Sequence, residues 1–197
     1  MLIYNQQKHL NFITDLKSKK DYSKVELKEL RKLPRFDGVC EFKFQEYFFL
    51  MLSIAMDDAV SLKYLWRNFY EPTSLNLWFN LTRGDGYFFD IGSHTGIYSI
   101  IGNIDKKENR IISLEPYYLN FSRMLSNLKL NKISTQNCFL IAASNQNGSA
   151  KFEIKTNNNY HSAGGQINEN GSMQVPVRKL DSFKLDKRVT GLKIDVE

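Results

Sequence analysis

Cysteines and long apolar segments are both scarce in this chain of 197 residues. Its two cysteines, Cys40 and Cys138, have no metal-ligating neighbour at a useful spacing, so zinc and iron–sulfur sites are disfavoured and we expect no metal. Isolated thiols are typical of a reduced, cytoplasmic protein, although a single disulfide stays open. The longest apolar run, residues 47–56, is shorter than the roughly 20 residues that cross a bilayer. The sequence therefore predicts a cytoplasmic protein without a membrane span.

A basic surface suited to nucleic acid is also missing. The net charge of +6 is spread thinly along the chain. Its only dense basic cluster is Lys17, Lys19 and Lys20, and Lys106 and Lys107 form a pair in a turn. No stacking aromatic residues alternate with these lysines along the sequence. Short basic runs are usually solvated surface, so we expect no nucleic-acid partner.

The apolar pattern divides the chain near residue 70. Residues 5–33 repeat apolar side chains at helical spacing, whereas residues 39–45 alternate apolar and polar side chains as a half-buried strand does. Residues 46–53 predict the hairpin partner of that strand, and two helices are expected within 57–81. We therefore predict a helical and hairpin extension at 1–70, followed by a second domain at 71–197.

Strands and helices alternate in the predicted second domain. The pattern predicts strands at 87–91, 110–114, 137–143 and 192–196, with a short helix after Gly96 and a longer one at 118–130. Alternation of this kind is typical of an α/β domain with a parallel sheet. The segment between the last two of these strands differs, because it predicts strands at 150–155 and 173–177 around a polar loop at 156–171.

A glycine turn after the first of these strands is the most informative feature. It reads Asp90-Ile91-Gly92-Ser93-His94-Thr95-Gly96, and the next strand delivers Glu115, 19 positions after Gly96. Glycines let a backbone approach a ligand, and an acid at this distance suits the hydroxyls of a ribose. The turn lacks Gly-x-Gly-x-x-Gly, so a dinucleotide is disfavoured. An NAD-dependent oxidoreductase stays open as an alternative.

The predicted strand ends indicate a ligand site. Parallel strands end at one edge of a sheet, and open α/β sheets bind ligands at that edge. The ends predicted here carry Asp90, Glu115, Ala142 with Ala143, and Asp195. Four such ends at one crevice are a stronger indication than any one of them alone.

Several motifs, in this order, resemble the FkbM-type methyltransferase family over about residues 70–197. They are the turn Asp90 to Gly96 with Ile97-Tyr98-Ser99, Glu115-Pro116, Asn127 and Asn131, Ala142-x-Ser144-x-x-x-Gly148, Leu180-Asp181, and Lys193-Ile194-Asp195-Val196-Glu197. The resemblance implies a Rossmann-like class I methyltransferase fold, with a parallel sheet and helices on both faces. It also implies an S-adenosylmethionine-dependent enzyme that O-methylates a hydroxyl of a sugar or secondary metabolite. The acceptor would then be a small molecule or a glycan.

The resemblance assigns candidate cofactor-binding residues. It implies that the turn holds the methionine end of S-adenosylmethionine through Asp90, Gly92, Ser93, His94, Thr95, Gly96 and Tyr98. Glu115 and the adjoining Pro116 are expected at the ribose, and Ala142 and Ala143 near the adenine. Glu71, within Tyr70-Glu71-Pro72, is expected to line the same pocket.

Asp195 and Glu197 are the candidate catalytic residues. Two carboxylates at i and i+2 on a strand point to the same side, so they could remove the proton of an acceptor hydroxyl or hold a divalent cation. They could equally orient the methionine amino group or form structural salt bridges. His94 is expected to be a neutral residue that caps a helix rather than a general base.

The family continues with a glycine and further strands where this sequence stops, at Glu197. We therefore expect a C-terminally incomplete sheet, with the strand at 192–196 as an exposed edge through which the chain could self-associate. A non-catalytic, truncated domain that serves as a binding or assembly module stays open as a second alternative.

Overall fold

The chain divides into two units in the computed structural model, Met1–Pro72 and Thr73–Glu197. The structure describes residues 2–54, 58–154 and 165–196. No helix within these ranges is both long and apolar enough to pass through a bilayer. Cys40 and Cys138 are free thiols rather than a disulfide.

The first unit combines three helices with one antiparallel strand pair. The helices are α1 (Leu2–Lys19), α2 (Leu27–Leu30) and α3 (Ala59–Arg67), and the strands are β1 (Gly38–Phe44) and β2 (Tyr47–Ser53). Phe44 pairs with Tyr47, so the two strands are joined by a tight turn in which Gln45 has a φ of 52°. Alternate side chains of β1 are buried, and Phe42 among them packs against both Phe49 and Tyr64.

The second unit contains a parallel sheet of four strands. In chain order, its elements as far as the third strand are α4 (Pro72–Leu81), β3 (Tyr87–Ile91), α5 (Ile97–Asn103), β4 (Ile111–Leu114), α6 (Tyr118–Leu130) and β5 (Cys138–Phe139). The fourth strand, β10 (Val189–Ile194), pairs with β3, giving the order β10-β3-β4-β5. The predicted α/β class and parallel sheet are thus confirmed, and β3 lies between its neighbours in the centre.

A second sheet contains the remaining strands. They are β6 (Ala142–Ala143), β7 (Gly148–Ile154), β8 (Gly165–Ile167) and β9 (Met173–Arg178), arranged in the order β6-β9-β7-β8. The prediction of one strand over 137–143 is therefore wrong, because the chain leaves the parallel sheet after Phe139. Ala142 pairs with Val177 instead. That partner is distant in sequence, so local hydrophobicity could not indicate it.

The two faces of the parallel sheet are covered differently. On one face, Trp78 of α4 packs edge-on against Phe88, and its indole nitrogen donates to the carbonyl of Tyr98 in α5 at 2.9 Å. The other face consists of Phe89, Ile91, Ile112 and Leu114. Within the described residues, Leu180 of a 3-10 helix (Leu180–Ser182) and the following Phe183 pack on that face.

This covering corrects the expectation of helices on both faces. The segment after β9 is short and turns back directly into β10. Among the described residues, a single helical turn and aromatic side chains cover the second face instead of an α-helix. Phe183 contacts both Phe89 and Phe139, with ring centroids 5.3 Å apart in each pair.

The strand β10 lies at the edge of the parallel sheet. It begins at Val189, three residues before the predicted start, and a register irregularity near Gly191 accompanies its pairing with β3. Leu192 and Ile194 are 50% and 61% exposed. No described strand pairs with the outer edge of β10.

Candidate functional site

The loop between β3 and α5 has a strongly bent backbone. Gly92, His94 and Gly96 all have positive φ angles, at 72°, 51° and 90°. The amide groups of Gly92 and Ser93 both donate to the carbonyl of Leu114, each at 3.0 Å. The loop is therefore attached to the carboxyl end of β4, the neighbouring strand.

Both loop glycines are required by packing within the chain itself. A Cβ at Gly92 would overlap the carbonyl oxygen of Asp195, and a Cβ at Gly96 would lie 2.8 Å from Cγ of Met124. The amide of Asp195 also donates to the carbonyl of Ile91 at 3.1 Å. The end of β10 therefore lies directly against the loop, where only glycine fits.

Asp90 lies beneath the loop and is fully buried. Its Oδ2 accepts a hydrogen bond from the hydroxyl of Ser99 at 2.7 Å, and that hydroxyl is 2.6 Å from the hydroxyl of Ser113. Its Oδ1 makes no hydrogen bond to a described residue but is 3.2 Å from Nζ of Lys193. The carboxylate thus joins β3, β4, α5 and β10.

Lys193 supplies the positive charge that compensates this buried carboxylate. Its side chain is only 12% exposed, and its ammonium donates to the carbonyl of Gly92 at 2.8 Å. The same ammonium lies 4.9 Å from the ring centroid of Tyr98 and 3.8 Å from Oδ2 of Asp195. Lys193 therefore holds the last strand, the glycine loop and α5 together.

Glu115 follows β4 and binds the loop from the other side. Its Oε2 accepts from the amide of His94 at 2.8 Å and its Oε1 from the amide of Tyr117 at 2.9 Å. The side chain of Asn120 also donates to this carboxylate. Although these hydrogen bonds favour the charged form, burial outweighs them and raises the pKa of Glu115 above its usual 4.5.

Asn120 has a buried oxygen atom with no donor. The residue is 5% exposed, and its Oδ1 accepts no hydrogen bond from any described residue. A buried acceptor without a donor costs roughly 1–3 kcal/mol. Glu115 and Asn120 together therefore form a site rich in acceptors, next to the glycine loop.

We predict that Glu115→Gln changes the pH dependence of folding. Because burial raises the pKa of Glu115, the folded chain binds its proton more tightly than the unfolded chain does. The contribution of Glu115 to the stability of the folded chain is therefore most favourable at low pH, and it is lost as the pH rises through the pKa of Glu115 in the folded chain. As the pH rises above about 4, where an unfolded glutamate titrates, the free energy of unfolding of the wild type should fall relative to that of Glu115→Gln. Urea titrations at several pH values measure this difference. A difference in unfolding free energy that does not change with pH would contradict the prediction.

The remaining candidates in the second unit occupy different environments. Thr95 and Tyr98 are buried, the carbonyl of Thr95 accepts from the side chain of Asn127 at 2.8 Å, and Pro116 is half-buried. Ala143 packs on the sheet face formed by Phe89 and its neighbours. Ala142 and Ala143 therefore belong to the second sheet. They do not end a strand of the four-stranded parallel sheet that contains β3.

Two candidate catalytic residues and one candidate from the first unit complete the set. The side chain of Asp195 is 69% exposed at the end of β10. Glu197 lies outside the described residues. Glu71 belongs to the first unit and is exposed, with a φ of 36°. Its role at a cofactor remains a prediction.

Sequence reasoning missed four contributors to this site. Ser99 and Ser113 have no pattern that distinguishes them from other small polar residues, and Asn120 lies in the first turns of an ordinary helix. The sequence does contain a signal for Lys193, because this residue is a single cation between Leu192 and Ile194 in a predicted strand. Such a residue must reach a carboxylate or solvent, since burying an uncompensated charge is costly.

Comparison with known proteins supports a family assignment. The Methyltransferase FkbM domain matches residues 90–197, which is more than half of the chain. A crystal structure of a SAM-dependent methyltransferase from Agrobacterium tumefaciens is similar at 12% identity, over 53% of this chain and 32% of that one, with a TM-score of 0.37. This chain thus spans about a third of that protein's length. No curated protein gives a significant match. Because the family match begins at Asp90 and covers more than half of the chain, the chain belongs to the FkbM methyltransferase domain family.

Proposed function

We propose that this chain binds S-adenosylmethionine and transfers its methyl group to a hydroxyl of a sugar or secondary metabolite. The observation that carries the proposal is the attachment of the glycine loop to Glu115, at the adjoining carboxyl ends of β3 and β4. Open α/β sheets bind ligands at this edge. Membership in the FkbM methyltransferase domain family supports the same chemistry.

The acceptor groups near Glu115 suit the ribose of this cofactor. A carboxylate has about four lone-pair positions, and main-chain amides and Asn120 occupy about three of those on Glu115. The donor-free Oδ1 of Asn120 supplies another acceptor. A ribose offers two adjacent hydroxyl donors, so one can go to each residue. This set of acceptors supports the proposed cofactor.

The glycine loop would hold the methionine end. Gly92 and His94 are its half-buried residues, whereas Ser93, Thr95 and Gly96 are buried. Gly92 and His94 therefore present the part of the loop that a ligand can reach. Lys193 and Glu115 would keep this backbone in place, because each binds one of these two residues. Asp90 would act indirectly, by compensating Lys193.

Asp195 is the proposed base for the acceptor hydroxyl. S-adenosylmethionine, when bound, supplies an electrophilic methyl group on a sulfonium. The chain must then align the acceptor oxygen and remove its proton. The carboxylate of Asp195 is exposed beside the loop, with its Oδ2 3.8 Å from Nζ of Lys193. It can therefore accept a proton at the edge where the acceptor would lie.

Calorimetric titration with S-adenosylhomocysteine tests the cofactor site. Glu115→Gln removes a charged acceptor and should weaken binding by about 10- to 100-fold, whereas Asn120→Ala removes a neutral one and should weaken it by roughly 2- to 10-fold. Glu108→Gln is the matched control, since Glu108 lies before β4 at the opposite end of that strand. It should bind as the wild type does.

Two results would overturn the proposal. The first is an absence of heat with correctly folded wild-type chain. The second is equal affinity in the wild type and Glu115→Gln. A parallel titration with NAD separates the oxidoreductase alternative, because an oxidoreductase would bind NAD and not S-adenosylhomocysteine.

A further inference from the structure

A cavity lies at the amino-terminal edge of the parallel sheet, opposite the site described above. Its volume is about 290 Å³, and residues at the start of β3 and β4 and at the end of α5 line it. Phe88 and Ile111 are the buried apolar residues of its lining. Its charged lining residues are Arg83, Asp85, Lys106, Lys107, Glu108 and Arg110.

The carboxylates in this lining are already paired with cations. Asp85 is 2.6 Å from Arg110 and 3.1 Å from Lys187, which lies just outside the lining. Glu108 is 3.3 Å from the same Arg110 guanidinium. Arg110 is therefore shared by the two acids of the lining.

The two lysines carry the excess positive charge of the cavity. Neither forms a salt bridge with any described residue. Arg83 lies beside them and donates to the carbonyls of Gly102 and Ile104 at 2.7 and 2.9 Å, so its guanidinium is fixed at the cavity wall. Several cations therefore line this cavity, and its two acids are already paired with Arg110 or Lys187.

The local environment of Lys106 is consistent with a missing counter-charge. Lys106 is an exposed residue, but slight burial of its ammonium, and then the positive charges of Arg83 and Arg110, lower its pKa, while Asp105 acts in the opposite direction. Neighbouring like charges repel one another, and an anion between them reduces that repulsion. A bound oxyanion would relieve both effects.

We propose that this cavity binds a phosphate-class oxyanion, either free phosphate or a phosphate monoester. Lys106 and Lys107 would bind the oxygens as charged donors, and Arg83 and Arg110 would add positive potential without leaving their present partners. Ammonium groups are suitable phosphate donors. The site is independent of the proposed methyl-transfer function, since it lies at the other end of the strands.

A thermal-unfolding series on the full chain tests this site. Potassium phosphate should raise the unfolding temperature more than potassium chloride does at the same ionic strength. The double variant Lys106→Gln/Lys107→Gln should weaken phosphate binding by at least about tenfold, because charged hydrogen bonds are lost. Lys151→Gln/Lys179→Gln changes the net charge equally, and neither of its positions lines the cavity. That control should keep the full phosphate effect.

Two further measurements on the same protein identify the source of the phosphate group and the location of its binding. Glycerol 2-phosphate binding more tightly than inorganic phosphate would identify a monoester ligand, and the reverse would identify the free ion. Amide resonances of residues 82–85 and 103–110 should shift on addition of either. Equal stabilisation by phosphate and chloride, or an unchanged phosphate effect in the Lys106→Gln/Lys107→Gln variant, would overturn the proposal.

Discussion

Replacing Lys193 with methionine should lower the free energy of unfolding of the second unit by roughly 3–5 kcal/mol, the cost of leaving a buried charge without its partner. Methionine keeps an apolar stem of similar length, so packing against Tyr98 is largely retained. What is lost is the ammonium that lies 3.2 Å from Oδ1 of the fully buried Asp90 and donates to the carbonyl of Gly92. Urea denaturation followed by circular dichroism measures this loss.

A double-mutant cycle separates charge from packing in this prediction. Asp90→Asn removes the negative charge and keeps the size of the side chain. In the background of Lys193→Met it should therefore recover a substantial part of the lost stability. The two substitutions should be strongly non-additive, since the residues are in contact. Additive losses would show that the ion pair is not what holds β10 to the loop.

Gly92→Ala should also be strongly destabilising, by about 3 kcal/mol or more. Two effects combine, because the residue has a φ of 72° and its new Cβ would overlap the carbonyl oxygen of Asp195. The left-handed backbone costs roughly 1–2 kcal/mol, and overpacking against main chain adds roughly 1–3 kcal/mol. The substitution should also weaken binding of S-adenosylhomocysteine, because the loop and the end of β10 must move apart.

Gly148→Ala is the matched control for this substitution. Gly148 also has a positive φ, 141°, but a Cβ there would meet nothing within 4 Å. It should therefore show only the backbone cost. A φ of 141° is less accessible to alanine than one of 72°, so a larger loss in Gly92→Ala than in Gly148→Ala would report the contact with Asp195. A loss in Gly92→Ala no larger than the roughly 1–2 kcal/mol of a left-handed backbone would contradict the close approach of the loop and β10.

The elements with strong local patterns were predictable. The bounds predicted for β3 and α6 agree with Tyr87–Ile91 and Tyr118–Leu130. In both segments, the residues that decide the structure are neighbours: a continuous apolar run in β3, and apolar side chains at helical spacing in α6. The turn after β3 was equally clear, because the required glycines are adjacent to it.

Elements that depend on distant partners were not predictable in the same way. An apolar stretch at 137–143 satisfies the local rules for one strand, yet Cys138 pairs with Ser113 and Ala142 with Val177. The choice between sheets is made by those partners. Similarly, the segment that covers the second sheet face has only three residues of 3-10 helix, Leu180–Ser182, and no helical periodicity could reveal it.

The sequence by itself determined the α/β class, the glycine loop, the position of Glu115 and the likeness to the FkbM family. Each of these depends on residues that are close along the chain. Only the tertiary structure decided that Asp90 is buried against Lys193, that Asp195 requires glycine at position 92, and that Asn120 leaves an acceptor beside Glu115. These contacts join strands and helices separated by up to about 100 residues. Their energies depend on burial and distance, which only the packed fold specifies.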